Sequence, residues 1–352
     1  MAGEVSREIR LKRRPVGMPE EDDFELVEVR VPQPADGEIV VRNIFLSVDP
    51  YMRGRMIDRK SYMPPFELGK AIEGGCVGQV VKSNGGRFPV GQHVVGMQGW
   101  RESYVTTGRG FLPIDPAAVP IQAYLGVMGM PGLTAYVGLL DIGKPVEGNT
   151  VFISAAAGAV GSVVCQIGKL KGCRVVGSAG SDEKVKWLLE EAGIDGAFNY
   201  RRAESIEAEL GKLCPKGVDV YFENVGGTHL EAALERMNPS GRIVLCGMIS
   251  QYNATRLEPG AKNLFLAIGK RLTLRGFIVS DHLGRLAQFT ADMGRWVAEG
   301  RIRWRETIVQ GIENTPKAFI GLFRGDNLGK MLVQVGPNPA AEAKKNGARS
   351  VC

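Results

Sequence analysis

The chain has 352 residues, 44% hydrophobic and 23% charged, with a net charge of +6 and a pI near 9.0. That is enough for two compact domains with substantial cores, and no apolar run approaches the roughly twenty residues a membrane span needs. Basic residues cluster only at 10–14 and 301–305, stripes too short for a nucleic-acid reader, so the excess charge reads as solvated surface.

The first residues, with Glu4, Arg7, Glu8, Arg10, Lys12, Arg13 and Arg14, have no apolar centre of the signal-peptide type. Six cysteines are scattered without a C-x-x-C spacing, which suits a reducing compartment and a cytoplasmic location. Stretches 24–31, 38–46, 75–82 and 93–99 alternate or run apolar between Pro and Gly breaks, predicting a bent, mostly antiparallel β domain.

From about Met128 the pattern changes. Strands are expected at 150–154, 174–178, 197–200, 218–222, 242–246 and 272–278, with helices at 160–171, 182–192, 203–213 and 228–237. Such alternation marks a doubly wound parallel α/β sheet of the Rossmann type. A helix at 282–299 follows, and 306–335 returns to strand character and rejoins the first domain. Residues 337–352, rich in Pro, Ala and Lys, read as a disordered tail.

The apolar strand 151–153 runs into Ser154-Ala-Ala-Ala-Gly158-Ala-Val-Gly161 and then a helix. Backbone N–H groups of such a turn and helix start can cradle a pyrophosphate. Gly158 and Gly161 fill the last two positions of G-x-G-x-x-G, and Ala156 replaces the first. Ala155, Ala159 and Val160 complete the cradle; the alternative is a packing turn.

The next strand, 174–178, ends at Ser178 without the Asp or Glu that holds an NAD ribose. The first carboxylate is Asp182, and Lys184 follows where a cation could meet a 2′-phosphate. NADPH is therefore expected over NADH. The structural alternative makes Ser181 or Asp182 a helix cap and Lys184 a surface lysine.

Six segments in order resemble the zinc-independent medium-chain dehydrogenase/reductases, in the branch of leukotriene B4 12-hydroxydehydrogenase/prostaglandin reductases, alkenal reductases and curcumin reductases. They are 47–56, 155–161, 222–227, 246–253, 276–279 and 325–330. The resemblance implies a GroES-like β catalytic domain at 1–127 and 303–336 and an NADPH-binding Rossmann domain at 128–302. It also implies a homodimer. Zinc-dependent relatives carry a Gly-His-Glu ligand motif; here Ile72 stands in the His position, and His93, His229 and His282 lie far apart. A zinc site is not expected.

By the same resemblance, Lys184 and Tyr200 would hold the 2′-phosphate, and Ser178 joins the cofactor set. Asn224, Cys246, Gly247, Ile249, Ser250 and Tyr252 would lie along the nicotinamide half. Phe277, Ile278 and Val279 would bring backbone groups to the carboxamide, and Asn327 would meet the cofactor from the last segment. Several also have plain readings: Cys246 as a small buried hydrophobe, Asn224 as a turn residue. The tyrosine that animal and plant members use falls at Gly269, so Tyr62 and Tyr252 are the catalytic candidates and Tyr51 the third. Met52, Met56, Met63, Trp100 and Met128 could line an apolar substrate wall, or simply be core.

Without a metal, hydride delivery to the β-carbon of an enone or enal is the most accessible chemistry. Charge then gathers on an enolate oxygen within reach of a hydroxyl donor. Two alternatives stay open: an NADPH quinone oxidoreductase, and a non-catalytic NADPH-binding redox sensor.

Overall fold

The computed structural model describes residues 4–256 and 259–338, so the expected tail beyond 338, including Cys352, lies outside the described residues. The described residues divide into two compact units, residues 4–125, 307–326 and 331–338, and residues 126–256 and 259–306 with 327–330.

The second unit contains a six-stranded parallel sheet. Its strands are β1 (Thr150–Ile153), β2 (Arg174–Ala179), β3 (Gly196–Asn199), β4 (Val218–Glu223), β5 (Met237–Leu245) and β6 (Thr273–Gly276). Their spatial order is β3-β2-β1-β4-β5-β6. All four residues of β1 are buried, which is why it reads as an unbroken apolar run. Helices α1 (Gly161–Leu170), α2 (Asp182–Glu190), α3 (Ile206–Leu213) and α4 (Thr228–Arg236) make the crossovers. Ser181 and Ser205 start α2 and α3 by accepting the Lys184 and Ala208 backbone N–H groups. The chain reverses its direction of winding between β1 and β4, which creates a crevice at the carboxyl ends of those strands.

The first unit is mostly strand. Glu4–Leu11 pairs antiparallel with Phe24–Val31, and Glu38–Ser47 pairs with Cys76–Asn84, Ser103–Thr106 and Lys330–Gln334. Its core includes the fully buried Trp100, whose Nε1–H donates to the Ser47 carbonyl at 3.1 Å and whose ring meets Phe24 and Phe319.

One expectation is corrected. Residues 306–335 are not all strand: Thr315–Arg324 is a helix between strands Glu306–Gln310 and Lys330–Gln334. Its apolar run 318–323 gave a strand-like signal, while the local signals were helical. Pro316 sits in the first turn, and Gly325 ends the helix in the left-handed conformation at φ 78°. Strand Glu4–Leu11, too charged to stand out, was not expected either.

Candidate cofactor and active site

The glycine loop lies where β1 ends. Ala155 takes a positive φ of 49°, unusual for a residue with a Cβ, and its carbonyl accepts the Gly158 N–H at 3.0 Å. A Cβ on Gly161 would lie 2.4 Å from the same carbonyl, so helix α1 can begin this close to the turn only with glycine. No side chain caps α1, leaving its first turn open to an anion. The loop is tied on two sides: the Ala156 N–H donates to the Ser178 carbonyl at 2.9 Å, and the Gly329 N–H donates to the Ala157 carbonyl at 2.8 Å. Asn327 supports that second tie by donating from Nδ2 to the Gly329 carbonyl at 2.7 Å.

At the end of β2 the surroundings are basic. A Cβ on Gly180 would lie 3.0 Å from the Tyr200 Oη and 3.4 Å from the Arg201 Nε, so both groups stand over that glycine. Asp182, the first carboxylate after the strand, is bound to the Arg202 guanidinium and to the Asn199 Nδ2. It is thereby engaged elsewhere than a ribose. Lys184 sits half-buried in the first turn of α2. Arg201 was missed in the sequence; its signal was only its place directly after Tyr200. Ser178 is fully buried, and its Oγ has no partner.

A buried network closes the ends of β1 and β4. Glu223 Oε1 accepts the Ser154 hydroxyl at 3.0 Å and the Val225 and Gly226 N–H groups at 2.6 and 2.9 Å. Ser154 Oγ accepts the Asn224 N–H at 2.9 Å, and Asn224 Nδ2 donates to the Ser154 carbonyl at 2.7 Å. Asn224 is thus a turn residue held rigidly at the crevice. The loop after β5 is strapped to it: Cys246 and Gly247 donate to the Glu223 carbonyl, Ile249 to that of Asn224, and Ser250 to that of Val225. Tyr252 Oη accepts the Met248 N–H at 3.4 Å. Phe277 packs where Gly138 has no side chain, its Cζ 2.8 Å from where a Cβ would be, and Ile278 and Val279 follow it half-buried. Burial, with Glu223 adding, pushes the Cys246 thiol up to about 12, so it behaves as an inert small hydrophobe.

Tyr51 and Tyr62 belong to the first unit. Burial raises the pKa of both hydroxyls; Tyr51 Oη is buried without a partner, whereas Tyr62 is 54% exposed. Met52, Met56 and Trp100 are fully buried and pack in the unit's core. A Cβ on Gly74 would run into the Met52 methyl group, so tight is the packing there. Met63 and Met128 keep partial exposure. Ile72, at the position of a zinc ligand in metal-dependent relatives, is also core. Among the described residues no three His, Cys, Asp or Glu side chains are grouped to hold a metal ion.

Comparison with known proteins agrees with this geometry. Residues 7–114 match a family described as the N-terminal domain of oxidoreductase, and 159–298 match one described as zinc-binding dehydrogenase. The NADPH-dependent curcumin reductase of Escherichia coli is 45% identical over 92% of this chain and 95% of its own. An NADP(+)-dependent 2-alkenal reductase of Nicotiana tabacum is 43% identical over 95% of this chain and 99% of its own. The crystal structure of CurA from Vibrio vulnificus in complex with NADPH superposes with a TM-score of 0.89 at 47% identity, covering 94% of this chain and 99% of that one.

Proposed function

This chain belongs to the zinc-independent medium-chain dehydrogenase/reductases, in the group of curcumin, alkenal and prostaglandin reductases, and from that premise we propose how its residues carry out the reduction. The enzyme reduces the C=C bond of α,β-unsaturated ketones and aldehydes with NADPH. When bound, NADPH supplies hydride to the β-carbon.

The observation that carries the cofactor reading is the end of β2: a glycine beneath a tyrosine hydroxyl and an arginine, with the neighbouring aspartate already paired. Lys184, Tyr200 and Arg201 hold the 2′-phosphate, with Ser178 beneath them. The backbone of Ala155, Gly158, Ala159, Val160 and Gly161 receives the pyrophosphate. Asn224, Gly247, Ile249, Ser250 and Tyr252 line the nicotinamide half, with Cys246 as an apolar floor. Phe277, Ile278 and Val279 present backbone to the carboxamide, and Asn327 steadies the loop from the last segment. We assign the return of a proton to the α-carbon to Tyr62 or Tyr252 as the candidate hydroxyls, and substrate contact to Tyr51 and Met128.

Two broader readings go with this. The outer edge of β6 pairs with no strand among the described residues, and Leu264, Phe265 and Ile268 beside it are 49, 67 and 81% exposed. That combination supports a homodimer formed on this edge. No described helix is long and apolar enough to cross a membrane, and the five described cysteines are unpaired, which supports a cytoplasmic place of work.

The test follows the near-ultraviolet absorbance of NADPH with an enone panel, a quinone panel and no acceptor. Oxidation with enones is the expected result. Turnover of quinones alone, or tight binding without turnover of any acceptor, overturns the reading.

A further inference from the structure

Glu223, the last residue of β4, is fully buried. Its Oε1 accepts from the Ser154 hydroxyl and from the Val225 and Gly226 N–H groups, and its Oε2 is buried without a partner. Every group that holds it is a neutral donor, the surroundings of an ionised carboxylate, which only accepts. Helix α4 begins just past those N–H groups with no side-chain cap, and the positive end of its dipole favours the same charge. No lysine, arginine or histidine among the described residues pairs with the carboxylate. Dipoles stabilise the charge, and no cation cancels it.

An unmatched charge in the interior is costly, and a turn that only had to be braced could use a neutral acceptor. None of the three hydrogen bonds engages the second oxygen. The charge is felt by its neighbours: burial first, then Glu223, raises the thiol of Cys246 and the phenol of Tyr221. Cys246 opens the loop after β5, and the Cys246 and Gly247 N–H groups donate to the Glu223 carbonyl at 3.0 and 3.1 Å. The carboxylate therefore belongs to the turn and loop assigned above to the nicotinamide half of the coenzyme. A buried anion without a counter-charge suits a site where positive charge arrives later.

We propose that Glu223 is a fixed negative charge that favours the oxidised, cationic nicotinamide and thereby promotes hydride transfer. The assignment rests on the reading of this crevice as the nicotinamide site. As a hydride, one proton with two electrons, passes to the β-carbon of the enone, one positive charge appears on the nicotinamide ring and NADPH is oxidised to NADP⁺. The enone is reduced to an enolate, which a proton at the α-carbon converts to the saturated product. The ring charge grows on the way to the transition state, and a carboxylate held in a water-poor interior stabilises it without rearranging. Glu223 forms no bond to the reactants and moves no proton. It acts through its field.

Glu223→Gln removes the charge and keeps Oε1 as an acceptor, with the new nitrogen where Oε2 has no partner. The readout is the Kd for NADP⁺ divided by the Kd for NADPH, from equilibrium titrations without substrate. The neutral variant should raise that ratio about tenfold, the effect of one nearby charge at the effective dielectric of a protein. Single-turnover hydride transfer to an enone should slow by about threefold to tenfold, since only part of the ring charge has formed at the transition state. Glu223→Ser, with room for a water to take up the freed N–H groups, is read in the same way should the glutamine variant not fold. An unchanged ratio overturns the proposal, equal loss of both coenzymes included, because a side chain that only braces its turn serves the two alike. An unchanged transfer rate overturns it as well. The ratio needs no turnover, so a wild-type protein that reduces no enone brings down the enone reading and leaves the charge preference to be judged by binding. A wild-type protein that binds neither coenzyme brings down the nicotinamide site and the proposal together.

Discussion

Ser154 and Asn224 grip each other twice, through the Asn224 N–H on the Ser154 hydroxyl at 2.9 Å and the Asn224 Nδ2 on the Ser154 carbonyl at 2.7 Å. They end neighbouring strands on either side of the winding reversal, so this double contact sets the spacing of the crevice. Asn224→Ala should free the Ser154 carbonyl and weaken NADPH binding about tenfold, a loss of one buried hydrogen bond. Fluorescence titration with NADPH checks it; an unchanged Kd would mean that backbone contacts alone fix the crevice.

The β2 end makes a prediction about choice of coenzyme. Charge-assisted contacts to a phosphate are worth about 1.5–3 kcal/mol each. Lys184→Ala and Arg201→Ala should each raise the Kd for NADPH about tenfold to a hundredfold while leaving that for NADH nearly constant. Equal loss for both coenzymes would show that these side chains only support the fold.

Gly161→Ala should disrupt the loop itself. Its Cβ would lie 2.4 Å from the Ala155 carbonyl and 2.9 Å from the Ala156 Cα, both backbone atoms that cannot swing aside. We expect NADPH affinity to fall beyond measurement and the melting temperature to drop by several degrees, roughly what about 1–3 kcal/mol of overpacking strain produces. Calorimetry with and without NADPH separates the two effects.

His229 carries a pH effect. Burial lowers its pKa to about 4, and its ring packs edge-on against Tyr200 with centroids 5.0 Å apart. The unfolded histidine takes up a proton near pH 6.5 while the folded one stays neutral. Its contribution is therefore complete above about pH 6.5 and lost as pH falls toward about 4. Between those limits roughly 3 kcal/mol of stability drains away. His229→Phe should flatten that part of the profile. Denaturant midpoints at about pH 4.5 and 7 test it: an equal acid loss in variant and parent would assign the effect to carboxylates.

The apolar edge beside β6 predicts association. Ile268→Glu places a charge on a side chain that is 81% exposed, so the monomer should be unharmed. Sedimentation should show a dimer for the parent and a monomer for this variant.

How much of this was legible beforehand differs by physical cause. The parallel sheet was readable because β1, β2 and β4 are buried along nearly their whole length and announce themselves as apolar runs. The missing acid after β2 was readable as well, since absence of a residue type needs no coordinates. The helix Thr315–Arg324 was misread because its buried face includes consecutive apolar residues, Ala318, Phe319 and Ile320, which a strand could equally display. Glu223 escaped notice: nothing in a sequence tells that a carboxylate will turn inward to bind two backbone N–H groups of its own turn. Met52 and Trp100 pack in the interior of their unit, and the sequence left that open beside a substrate wall because size and polarity alone do not separate the two.

The Gly329 tie to Ala157 also bears on how the protein is made. Residue 329 leaves the ribosome long after residues 150–180 have emerged, so the coenzyme loop spends most of synthesis lacking its last stitch. A nascent chain halted near residue 306 would already possess every strand of the parallel sheet yet grip NADPH poorly, ripening only when its final segment doubles back.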